Sequence, residues 1–225
     1  MQKSMLQMSN HAKLYIIRYF FNWLWYYMDF LEKVKGLLLE PSKTFDSLKD
    51  ETLEEALKYY AIIAVAYSAL FALMFTFAGS LFGSMMGFRD FGMMMGAGAG
   101  IGAAVVFFVM FMILAIAGAF IGGAILHIFV YIVGGRKGIV QTIKAVMYGA
   151  TPSLLLGWIP LVSIIASIWS LIVEIIGIRQ LHGLTTGRAI LAILIPIILG
   201  IILAVVLAAL LVAYMTSTGV PRYGY

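Results

Sequence analysis

A chain of 225 residues that is 63% hydrophobic and only 11% charged is not built for water; ordinary soluble domains carry about a quarter charged residues. Its mean hydropathy is +1.03, and its net charge of +5 is scattered along the flanks of apolar runs, which excludes a nucleic-acid partner. Cysteine is absent, so disulfides and thiolate metal sites are excluded as well. The apolar runs are continuous and exceed about 20 residues, which predicts an all-α bundle of transmembrane helices rather than a β-barrel.

The polar start, MQKSMLQMSNHAK, has no cleavable signal-peptide pattern. Residues 1–50 then read as a cytoplasmic, interfacial segment. Within AKLYIIRYFFNWLWYYMDFLEKVK, helical spacing puts Arg18, Asn22, Asp29 and Lys33 on one stripe. Tyr15, Trp23, Trp25, Tyr26 and Tyr27 crowd around it, and such aromatics prefer the headgroup level. An amphipathic helix lying on the membrane surface is expected, with a partner-binding helix as the alternative.

Residues 51–215 hold five predicted spans. Thr52 and Glu55 form a capping-box pattern, so the first span starts at Thr52. It runs to Phe82 or beyond. GSLFGSMMGFRDFGMMMGAGAGIG follows. Gly79, Gly83 and Gly87, then Gly92, Gly96 and Gly100, recur every four residues and give smooth helix faces that let another backbone approach. A helical hairpin with its tip at residues 88–91 and a mobile glycine-rich loop are both open readings. Met85, Met86, Met93, Met94 and Met95 sit here too. Thioethers can bind Cu(I), but no His or Cys joins them, and no metal or cofactor is expected.

The second span ends with residues 105–133, and the Gly134–Gly138 stretch is a tight turn. The third, 139–157, is short. The residue before a proline resists helical geometry, so Pro152, after Thr151, is expected to break it. Pro160 is expected in the first turn of the fourth span, 161–178. The fifth, 189–215, contains Pro196, and 216–225 form a short tail. Basic residues gather before span one, between spans two and three, and between spans four and five, while only Arg89 and Arg222 fall opposite. That asymmetry predicts a cytoplasmic N-terminus and an external C-terminus.

His127, Lys144 and Glu174 are ionisable residues inside spans, where a functional hypothesis is the default. Each falls ~7–11 Å from the cytoplasmic turns at helical rise. A shared site is expected, with Glu174 paired to Lys144 and with His127 and Tyr148 completing the hydrogen bonds. It reads either as a structural pair or as a proton or solute site. Lys144 can also snorkel. Arg179 and His182 read as interfacial anchors. Phosphate loops, nucleophile elbows and HExxH pairs are absent, so no catalysis is expected.

The ordered set EPSKTF at 40–45, His127 ahead of Gly134-Gly135, Tyr148-x-x-Thr151-Pro152 with GWIP, and IWSLIVEIIGIRQLHGLTTGRAI at 168–190 resembles the Yip1-domain family. The resemblance implies five transmembrane helices with a cytoplasmic N-terminus. Eukaryotic relatives are linked to membrane trafficking and contact small GTPases of the Rab type, usually through a long cytoplasmic N-terminal region. Here the corresponding segment is aromatic and basic. The expected function is membrane organisation or scaffolding through membrane lipids, a homo-oligomer or another membrane protein. The alternative is a transporter or channel that uses the broken third span and Glu174. The expected location is a prokaryotic cell membrane, with the ER or Golgi as the alternative.

Overall fold

The computed structural model describes residues 28–85 and 100–217, with side chains described for 28–78 and 101–217. All regular structure among them is helical. Helix α1 covers residues 28–39. It is followed by α2 (Pro41–Ser47), α3 (Leu53–Met85), α4 (Gly100–Ile132), α5 (Ile139–Gly149), α6 (Thr151–Leu156), α7 (Val162–His182) and α8 (Thr186–Ser217).

Four of these helices, α3, α4, α7 and α8, are long and apolar enough to cross a membrane. Helix α3 opens on the capping box that the sequence predicts. The Thr52 amide donates to Glu55 Oε2 at 2.7 Å, and the Glu55 amide donates back to Thr52 Oγ1 at 3.2 Å. Its 33 residues extend ~50 Å at helical rise, well beyond a hydrocarbon core of roughly 30 Å. Helices α3 and α4 run antiparallel. Phe71 meets Phe111 edge-on at 4.7 Å, Phe75 meets Phe107 at 4.9 Å, and the Tyr60 hydroxyl donates to the Ala115 carbonyl.

The expected third span is two short helices. A continuous helix would need residue 152 to donate to the Tyr148 carbonyl, and Pro152 has no N–H. The chain breaks at Ala150, and Pro152 takes the first turn of α6, where a missing donor costs nothing. Thr151 Oγ1 donates to the Tyr148 carbonyl at 2.7 Å in place of the absent amide. That hydrogen is then committed, so the Tyr59 hydroxyl, 3.0 Å away, donates to Thr151. Pro160 differs from expectation. It lies in the turn ahead of α7 rather than in its first turn, because the helix runs from Val162 with Leu161 as its N-cap. Pro196 is inside α8, as the sequence requires.

Helices α5 and α6 together lie antiparallel along α7. Thr142 Oγ1 is 2.9 Å from His182 Nε2, a Cβ on Gly149 would be 2.9 Å from Glu174 Cα, and the Ser153 amide donates to Ser170 Oγ at 2.8 Å. The paired positions fall along α5–α6 as they rise along α7. The glycine at 149 is what permits this approach.

The core includes residues ahead of the first long helix. Phe45 of α2 is fully buried, and its ring occupies the face of Gly177, where a Cβ would lie 2.7 Å from Phe45 Cζ. Leu37 and Leu48 are buried beside it. Helix α8 is the opposite case: residues 197–217 are exposed on every side, as suits an apolar helix in lipid. Gly79 and Gly83 fall in α3 and Gly100 opens α4, but their surroundings lie outside the described side chains. Gly87, Gly92, Gly96, the 88–91 tip and residues 1–27 lie outside the described residues altogether.

Candidate functional site

Two clusters of buried and part-buried polar residues tie the helices together, and neither contains Glu174. In the first, Lys144 is fully buried on α5. Its ammonium donates to the backbone carbonyls of Lys49 at 3.0 Å and Glu51 at 2.5 Å. One turn on, the Tyr148 hydroxyl donates to Glu51 Oε2. The other oxygen of Glu51 pairs with Lys33 Nζ at 2.6 Å, and Lys33 also meets Asp29 at 2.9 Å. Burial by itself pushes the Lys33 ammonium down, but its hydrogen bonds and charges with Glu51 and Asp29 outweigh that and hold its pKa above the ordinary value. The network ties α1, the α2–α3 loop and α5 together. Phe30 against Tyr59 at 5.3 Å and Tyr59 against Tyr148 at 5.1 Å close it on the apolar side.

In the second cluster, His127 Nδ1 of α4 lies 2.7 Å from Thr142 Oγ1 of α5, and Thr142 lies 2.9 Å from His182 Nε2 of α7. Thr142 and His182 are buried, and His182 Nδ1 is buried with no partner. A hydroxyl has one hydrogen to give. If Thr142 gave it to His182, a buried N–H would be stranded at His182 Nδ1. The arrangement without that orphan has His182 Nε2 donating to Thr142 and Thr142 donating to His127 Nδ1. One side chain thus joins three helices.

The expected Glu174–Lys144 pair is therefore corrected. Lys144 donates to two backbone carbonyls of a loop, and helix packing puts the backbone of Glu174 against Gly149 instead. Glu174 is half-buried and has no hydrogen bond or ion pair among the described residues. His127 and Tyr148 do not meet it; they belong to separate clusters. His182 is likewise not an interfacial anchor but the buried end of the His–Thr–His chain. Arg179 joins α7 to Ser42 at 3.2 Å and to Thr186 at 3.3 Å. Sequence reasoning missed Glu51. The only signal for it was an acid-rich loop, DETLEE, directly ahead of a membrane helix.

Two of the cavities lie beside α1, one against α3 and one against α2. One of 240 Å³ is lined by Asp29, Lys33, Glu55 and Tyr59 among others, and one of 510 Å³ runs along α1 and α2 by Glu32, Gly36 and Lys43. A third, of 480 Å³, is an apolar groove on α4 from Val105 to Leu114. Glu174 lines none of these three. Among the described residues no three His, Cys, Asp or Glu side chains are grouped to hold a metal ion.

A chain whose described residues include four membrane-length apolar helices and no strand is an integral membrane protein. Residues 35–215 match the Yip1 domain, and the chain belongs to the Yip1-domain family. Its first matched residue lies in α1, ahead of the buried α2. No curated protein and no solved structure matches the chain.

Proposed function

We propose that this protein works through contacts with membrane lipids or with other membrane proteins, as an organiser or scaffold without catalysis. One observation carries this reading. Four buried polar side chains already have partners inside the fold: Lys144 in two loop carbonyls, Tyr148 in the Glu51 carboxylate, Thr142 in His127 and His182, and Thr151 in Tyr59 and the Tyr148 carbonyl, while α4 and α8 present apolar surface outward. A translocation path needs polar groups that can exchange partners with a solute; these four already hold partners within the fold.

The accompanying topology has five crossings, with α5–α6 as the third. Their 139–156 stretch spans ~27 Å at helical rise, and it follows α7 along its length. The N-terminus is then cytoplasmic and the C-terminus external, in a prokaryotic cell membrane, with the segment ahead of α1 lying in the interface. Glu174 supports the second reading, a transporter or channel, since a half-buried carboxylate without a partner beside a helix break is the usual mark of one. Reconstitution into vesicles tests the choice. Altered vesicle size or recovery of an oligomer by crosslinking, with no flux of protons or small ions, is the expected result. A flux abolished by Glu174→Gln would replace the scaffold reading with transport.

A further inference from the structure

The turn between α4 and α5 carries a cationic surface that the two buried clusters do not use. Gly134 and Gly138 have φ of 104° and 90°, so the chain reverses tightly there. The start of α8 lies against that turn: a Cβ on Gly134 would be 3.4 Å from Arg188 Nη1. Arg136 folds back over the end of α4. Its guanidinium lies 3.7 Å above the Tyr131 ring and donates to the Tyr131 and Gly135 carbonyls. Lys137 and Arg188 are exposed and have neither a carboxylate nor another hydrogen-bond partner among the described residues. Three cations thus stand where α4 ends and α8 begins, and among the described residues no acid pairs with them.

The surface directly beneath these cations is apolar. Ile125, Ile128, Tyr131 and Ile132 form an exposed strip along α4, and Ile139 and Val140 are exposed on the other side of the turn. A strip of this kind below a group of guanidinium and ammonium groups has the amphipathic order of a phospholipid, with phosphate above and acyl chain below. Arginine offers a fork of donors that matches phosphate oxygens. A free anion would satisfy the cations and leave the strip uncovered; an acidic peptide would leave it equally so.

We propose that the Arg136–Lys137–Arg188 surface is a docking site for the phosphate headgroup of an anionic phospholipid, whose acyl chain lies along α4. The site deepens the contact reading above by naming one partner class, and it rests on that reading. A vesicle flux would sink the contact reading without altering lipid selectivity, so the two failures are distinguishable.

The test uses the full chain in detergent, titrated with short-chain phosphatidylglycerol, with phosphatidylcholine of the same chain length, and with inorganic phosphate, while its thermal midpoint is read. Phosphatidylglycerol is expected to stabilise at lower concentration than phosphatidylcholine, and inorganic phosphate to have no effect at matched ionic strength. Each cation replaced singly by Gln should weaken the preference roughly fivefold, and all three replaced together should abolish it. The charge-matched variant Lys35→Gln/Lys43→Gln/Lys49→Gln should keep the preference. Equal stabilisation by the two lipids overturns the proposal. So does an equal loss of preference in the charge-matched variant, which would reduce the effect to net charge. Stabilisation by inorganic phosphate alone would make the site one for a soluble anion.

Discussion

The Lys144 ammonium donates to the Glu51 backbone carbonyl at 2.5 Å across a separation of 93 residues, and Lys144 is fully buried. A helix in the middle of the bundle therefore holds the loop that starts the first long helix. Lys144→Leu removes both carbonyl contacts, and stranded buried polar groups typically cost about 1–3 kcal/mol each. It should lower the unfolding midpoint in detergent clearly. Glu174→Leu should not, and the double variant should show no recovery. A double-mutant cycle is expected to give a coupling below ~0.5 kcal/mol, the level for residues without shared partners.

The His127–Thr142–His182 chain predicts a sharper contrast at one position. Thr142→Val keeps the shape but removes the only partner of two ring nitrogens. A loss of about 1–3 kcal/mol is expected, measured by denaturant unfolding in mixed micelles. Thr142→Ser retains the hydroxyl and should restore most of it. Equal losses in Val and Ser would mean that methyl packing, not hydrogen bonding, is what matters there.

Lys33 provides a pH test outside the spans. Its pKa is raised in the folded protein, so its ion pairs contribute fully below its ordinary value of 10.5 and are lost as pH rises through the higher folded value. Through deprotonation of Lys33, contacts of α1 with the bundle should loosen in strongly alkaline buffer and not at neutral pH. Limited proteolysis between α1 and α2 reads this out. Lys33→Gln should show the loosened pattern already at neutral pH, and a pattern unchanged by either condition would assign the docking of α1 to its apolar contacts, Phe30 and the buried Leu37 among them.

Packing at two glycines predicts steric costs. A methyl on Gly177 would meet the Phe45 ring at 2.7 Å, and one on Gly149 would meet the Glu174 backbone at 2.9 Å. A ring can shift, whereas a helix backbone cannot shift alone. Gly149→Ala should therefore be the worse of the two, within the ~1–3 kcal/mol usual for overpacking. Thermal midpoints of the two variants decide the order.

The four long apolar helices, the capping box at Thr52, the break ahead of Pro152 and the turn at Gly134 were legible because each depends on a few neighbouring residues. The partners of Lys144 and Glu174 were not. Depth along a helix says which residues share a level, but not which face they occupy around the axis. That is set by where Gly149 and Gly177 let helices approach. Backbone carbonyls in the 49–51 loop are also invisible as ligands, because every residue has one. His182 looked interfacial by position, yet the close Gly135 turn, where a Cβ would lie 3.1 Å from His182 Nδ1, buries it.

Topology is decided by the connection between α6 and α7. His182 at the end of α7 meets Thr142 at the start of α5, so these two points share one side of the bundle. Val162 lies 20 residues back along α7, ~30 Å away at helical rise. If the end of α7 is cytoplasmic, the turn before it is at the opposite surface, and only α5–α6 can carry the chain there. Leu161 is highly exposed in that turn, and the chain contains no native cysteine to interfere. A cysteine at Leu161 should react with an impermeant thiol reagent added outside intact cells. Cysteines at Lys137 and Gly183 should react only after the membrane is opened. Labelling of all three from the same side would make α5–α6 a re-entrant pair and leave four crossings. Labelling of Lys137 and Gly183 from outside, with Leu161 protected, would keep five crossings and invert the orientation.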